Sequence, residues 1–158
     1  DPRGWSNPSF KIDDIRQLWN KRYPILFSVD CSTGKFDIET EKEQNEKEGT
    51  PVTASNESFC EKLLCARNKG MVGIIAPSRT TIRKLNNVFN KGLMGAIWPN
   101  MFKSFDSQAS RLGQVLLKAR IKVLQKFGSN GWVNDRVLGN FRRYHLLGDP
   151  ALRIKQPQ

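Results

Sequence analysis

The sequence predicts an α/β fold with a mostly parallel sheet flanked by helices, and three observations lead there. Two short apolar runs, YPILFSV (23–29) and MVGIIA (71–76), have strand length and no polar alternation, the pattern of strands covered on both faces. Stretches of helical periodicity lie between and after them, giving the strand–helix order of a parallel core. The 158 residues, 38% hydrophobic and 26% charged, suit one soluble domain with a sizeable core.

In chain order, SFKIDDIRQLWNKR (9–22) reads as a short helix capped by Ser9, with Ile12, Ile15, Leu18 and Trp19 on one face. YPILFSV follows as the first buried strand. Residues 39–56 begin with ETEKEQNEKEGT, charged throughout without an apolar stripe, and read as an exposed loop. Lys42 and Lys47 in it are possible processing points, although a tolerated surface insertion explains the composition more simply. NESFCEKLLCARNKG is a helix with Phe59, Leu63 and Ala66 inward, stopped by Gly70, and MVGIIA is a strand broken by Pro77.

A helix is predicted over about 81–91, then a looser region with Gly92, Gly95 and Pro99. SQASRLGQVLLKARIKVLQKFG (107–128) has the clearest periodicity. Leu112, Leu116, Ala119 and Val123 form one face, Arg111, Lys118, Lys122 and Lys126 lie opposite, and Gly128 ends the helix. YHLLGDPALRI (144–154) reads as a strand, a Gly-Asp-Pro turn and a short extended piece.

The net charge of +11 is uneven. Residues 1–75 hold 11 Lys/Arg against 12 Asp/Glu, whereas residues 76–158 hold 15 against three. Such asymmetry marks a nucleic-acid footprint or a face turned to an acidic partner. Without an aromatic stacking platform or recognition motif, nucleic acid is not an expected partner. No run approaches the roughly 18–20 apolar residues of a membrane span. A single histidine and three cysteines without C-x-x-C spacing argue against a metal site or a disulfide framework.

In α/β sheets reactive groups gather at the carboxyl ends of strands. Cys31 stands at one such end, and the segment holding Ser78 and Arg79 at another. A thiolate nucleophile needs a base beside it and N–H donors for the oxyanion, each worth about 3–4 kcal/mol. The turn Ser32-Thr33-Gly34 is small enough to bend and present such donors. A small hydrophobe packed on a strand fits Cys31 equally well from the residues alone. Cys60 and Cys65 read as helix residues without chemistry. His145 precedes Leu146-Leu147 in an apolar segment and reads as structural rather than as a base; Asp30 and Asp149 are likewise not assigned to catalysis.

The order of GWSNPSF, YPILFSVDCSTGKFD, ESFCEKLLCARNKGMVGIIAPS and YHLLGDPALRI resembles the gingipain family of cysteine peptidases, which belongs with the caspase-like hydrolases. The resemblance runs from Trp5 to Ile154. It implies a caspase-like domain of which residues 1–158 form the carboxyl-terminal, nucleophile-bearing half, with Cys31 as the catalytic cysteine. It further implies a catalytic histidine just upstream of Asp1. The remaining implications are a peptide or protein substrate, no cofactor, association with the upstream half, and a secreted or cell-surface location. Ser78 and Arg79 would flank the specificity pocket, where Arg79 would favour an acidic side chain. A sortase-like branch that cleaves secretion signals and a catalytically silent interaction domain are the alternatives.

Overall fold

The computed structural model describes residues 1–37, 57–102, 105–128 and 134–155. Three strands form the central sheet in the order β3-β4-β5: Ile25–Phe27, Gly73–Pro77 and Tyr144–Gly148. β3 and β4 run parallel and β5 runs antiparallel to β4, so the closing strand makes the described sheet a mixed one. The predicted loop at 39–56 lies outside the described residues.

Strand alternation sorts the two faces. From β4, Ile75 enters one core and Ile74 and Ala76 the other, the period-2 consequence of the pleat. The larger core lies under helices α2 (Arg83–Ile97) and α4 (Leu112–Phe127), with the single turn α3 (Pro99–Phe102) between them. Leu112, Leu116, Ala119 and Val123 of α4 are buried as their spacing predicts. The second core holds α1 (Phe59–Leu64) and a 3₁₀ helix, Ile12–Gln17. Beside it lies a hairpin of β1 (Gly4–Ser6) and β2 (Ser9–Lys11).

Several local expectations change. Ser9 belongs to β2 rather than capping a helix, and Asp14 takes over by accepting from the Lys11 N–H at 2.7 Å. Trp19 is 85% exposed because the 3₁₀ helix ends at Gln17 and the inward face ends with it. α1 stops at Leu64, so Ala66 lies beyond it. α2 continues through Gly92 and Gly95 to Ile97. Gly92 is required there by close helix packing: a Cβ would sit 2.8 Å from the Ala119 Cα of α4. α5 (Asp135–Arg143) is capped by Asn134, whose side chain accepts from the Val137 N–H at 3.0 Å.

The basic face of α4 is partly spent within the chain. Arg111 donates to the Ala151 carbonyl, Lys118 donates to Ser107 and stands over the Phe105 ring, and Lys122 stands over the same ring. No helix among the described residues is long and apolar enough to cross a membrane.

Candidate active site

Cys31 lies at the carboxyl end of β3, in the turn that follows Ser28. Backbone straps fix this turn against β4. The Ser28 N–H donates to the Ile75 carbonyl at 2.9 Å, Ser32 N–H to Arg79 at 3.3 Å, and Gly34 N–H to Pro77 at 3.0 Å. Ser32, not Gly34, adopts the left-handed conformation, with φ at 61°. A non-glycine residue held there next to a candidate nucleophile stores local strain that the straps sustain. Gly34 serves a different need: a Cβ would come within 3.0 Å of the Ala76 Cβ.

A directional chain of hydrogen bonds supports the turn from below. The Trp5 indole N–H donates to Ser28 Oγ at 3.2 Å, Ser28 and Thr33 hydroxyls share a 2.8 Å bond, and Thr33 Oγ1 donates to the Asp30 carbonyl at 3.1 Å. Because Thr33 spends its proton on Asp30, Ser28 donates to Thr33, and the chain runs one way. Ser28 is 1% exposed and Thr33 is fully buried, so neither finds water as a substitute. Thr33→Val is therefore expected to cost about 1–3 kcal/mol by stranding the Ser28 hydroxyl. Urea denaturation of the variant against wild type measures it.

The Cys31 side chain is half-buried. Its sulfur accepts from the Thr81 N–H at 3.3 Å and lies 3.5 Å from the Thr81 hydroxyl. The Cys31 N–H donates to Asp30 Oδ1 at 2.9 Å, which makes Asp30 a support for the turn. Cys60 is fully buried, with its N–H donating to the Thr33 carbonyl at 3.1 Å; burial first, and Glu61 beside it, push its thiol up to about 12, with the Thr33 side chain opposing. Cys65 is exposed.

The structure places the other expected site residues as follows. The Ser32 and Gly34 amides donate to the Arg79 and Pro77 carbonyls, because the turn is laced to the end of β4 and the residues just after it. Ser78 is 5% exposed, and both its N–H and its hydroxyl donate to the Arg143 carbonyl, a tie between β4 and α5. Arg79 engages Asp37 with both guanidinium nitrogens and also donates to its neighbour's carbonyl, so its charge is already answered.

His145 pairs with Ala76 in the sheet and meets the Phe36 ring edge to face at 5.1 Å. Among the described residues every hydrogen bond of the Cys31 sulfur goes to Thr81, and the imidazole makes none to it. Burial first, then Arg120 and Arg79, hold His145 below its ordinary value, with Asp37 opposing. The unfolded chain therefore takes up the proton first as pH falls. The contribution of neutral His145 is complete above the unfolded value of about 6.5 and is lost as pH drops toward the folded one. His145→Gln is expected to shrink the fall in melting temperature between about pH 7.5 and 5.5. Asp37, held down chiefly by its Arg79 hydrogen bond, loses its contribution only below the ordinary carboxylate range.

The sequence profile of peptidase family C25 matches residues 1–155. The chain belongs to peptidase family C25. No curated protein sequence matches it. Its fold is shared with proteases already solved. The crystal structure of gingipain R, an Arg-specific cysteine proteinase, superposes with a TM-score of 0.76 at 17% identity, over 99% of this chain and 32% of that one. The complex of Porphyromonas gingivalis RgpB pro- and mature domains gives 0.74 at 16% identity, over 99% and 32%. A further protease structure gives 0.71 at 14% identity, over 97% and 33%. The C25 chain described here thus spans about a third of the solved proteins it matches.

Thr81, Asn86 and the Trp5–Ser28 pair were not anticipated as site residues. Asn86 carried a signal: with Leu85, Phe89 and Leu93 it falls on the inward stripe of α2, where an amide is out of place.

Proposed function

We propose that the protein is a cysteine endopeptidase in which the Cys31 thiolate attacks the scissile carbonyl carbon. The amine then leaves with a proton, and water hydrolyses the resulting thioester to regenerate the thiol. In this reading residues 1–158 are the carboxyl-terminal, nucleophile-bearing part of the catalytic domain, and the general base is a histidine outside them. The observation that carries it is the position of Cys31: a half-buried cysteine on a strained, strapped turn at the carboxyl end of β3, inside a chain matched to C25 over 1–155. The position of His145, bonded to nothing at the sulfur, supports an external base. A secreted or cell-surface location rests on the family likeness.

The full-length protein, the 158-residue chain alone, and each with His145→Gln are assayed on a mixed peptide library. Activity is expected in the full-length protein and its His145→Gln form, and little in the chain alone. Full activity in the chain alone that His145→Gln abolishes would overturn the assignment of the base. A full-length protein without hydrolysis would favour a silent domain of the same fold.

A further inference from the structure

Beside Cys31 lies a set of polar side chains that the reaction as described leaves unused. Thr81 and Asn86 are each 9% exposed, and Tyr144 is fully buried. Buried polar atoms are nearly always paired, yet Asn86 Oδ1 and the Tyr144 hydroxyl have no hydrogen bond among the described residues. The Tyr144 hydroxyl comes near the Thr81 side chain without the geometry of a bond.

The orientation of Asn86 follows from its surroundings. Its amide edge lies 3.2 Å from the Val29 carbonyl and 2.6 Å from Thr81 Oγ1. A carbonyl oxygen only accepts, so the group facing Val29 is the NH₂; the flipped amide would set two acceptors against each other. The same NH₂ donates to Thr81 Oγ1, which frees the hydroxyl's own proton for the Cys31 sulfur at 3.5 Å. The Thr81 N–H already donates to that sulfur at 3.3 Å. The sulfur's own outlet as a donor, the Thr81 carbonyl, lies at a long 3.9 Å. The surroundings thus offer the sulfur two donors and a poor acceptor.

We infer that Thr81 holds the reacting sulfur in a two-donor clamp through its amide and hydroxyl, and that Asn86 is a positioning residue that aims the hydroxyl. This rests on Cys31 being the nucleophile. The clamp supplies no base: the thiol proton passes to the general base in the peptidase and to buffer in the isolated chain.

Iodoacetamide alkylation, resolved by site and followed across pH, tests the clamp in wild type, Thr81→Val, Thr81→Ser and Asn86→Leu. Asp30, Tyr144 and Arg143, the titratable and charged groups that the structure places beside Cys31 and Thr81, stay constant across the series. Exposed Cys65 reports the reagent, and buried Cys60 stays unlabelled while the fold is intact. Cys31 in Thr81→Val is expected to react about 5–10-fold more slowly at neutral pH. Thr81→Ser should stay within about twofold of wild type, with Asn86→Leu between the two.

A Thr81→Val profile that overlays wild type, or a Thr81→Ser profile as slow as Thr81→Val, would overturn the clamp. Should labelled Cys60 show that Thr81→Val has unfolded, a folded Asn86→Leu with the wild-type rate overturns it instead. The nucleophile reading fails separately, through full-length protein that still hydrolyses peptides after Cys31→Ala.

Discussion

Replacing Cys31 by alanine is expected to lower peptide hydrolysis by the full-length protein by roughly four to six powers of ten, with little change in stability. Removal of a covalent nucleophile takes the whole double-displacement route with it, so the residual rate reflects only binding and electrostatic stabilisation of water attack. The fold should survive because the turn is held by backbone straps and by the Trp5–Ser28–Thr33 chain, none of which uses the sulfur. Cys65→Ala, on the exposed end of α1, should leave hydrolysis within about twofold, since a thiol without a supported turn has no role in the acyl transfer. Initial rates on one cleaved peptide, with both variants at matched concentration, measure the contrast.

Phe89→Ala is expected to cost about 3–5 kcal/mol, the largest stability loss anticipated for one substitution in this chain. Phe89 is 1% exposed and stacks on Tyr144 with ring centroids 3.9 Å apart, at the centre of the larger core. The backbone of Tyr144 pairs with Pro77, next to the segment that straps the Cys31 turn, so the cavity would open directly behind the site. For a domain of this size the melting temperature should fall by roughly 8–15 °C. Phe36→Ala, at a half-exposed ring, should stay within about 1 kcal/mol by the same thermal scan.

Much of the architecture was legible because burial on both faces writes a continuous apolar run. MVGIIA shows it, since Gly73–Pro77 is buried throughout and runs one residue past the expected break at Pro77, whereas Ile25–Phe27, within YPILFSV, is only half-buried at the edge of the described sheet. The periodicity of α4 was equally plain. What the local sequence could not show depends on neighbours. The antiparallel direction of β5 follows from α5, which turns the chain before it and for which the sequence reading offered no element. Gly92 and Gly95 looked like breakers because propensity is local, whereas the demand for a small residue at Gly92 comes from Ala119 across the helix pair.

The site divides in the same way. Cys31 stood out in the family pattern and by its place after an apolar run, and its turn at the end of β3 is where that run led. The bonds that Ser32 and Gly34 make to Arg79 and Pro77 were not legible, because an amide's partner depends on which backbone lies opposite. Arg79 looked like a substrate cation until Asp37, 42 positions away, closed on it. Thr81 lies 50 positions from Cys31 and meets it only because β3 and β4 are adjacent and parallel.

Trapping of the acyl-enzyme tests the central claim most directly. The full-length protein is mixed with a cleaved peptide ester, quenched in acid within milliseconds to seconds, and digested for mass spectrometry. The account predicts a thioester on the peptide that carries Cys31, absent from those carrying Cys60 and Cys65. Turnover with no adduct at Cys31, or an adduct on another residue, would contradict it.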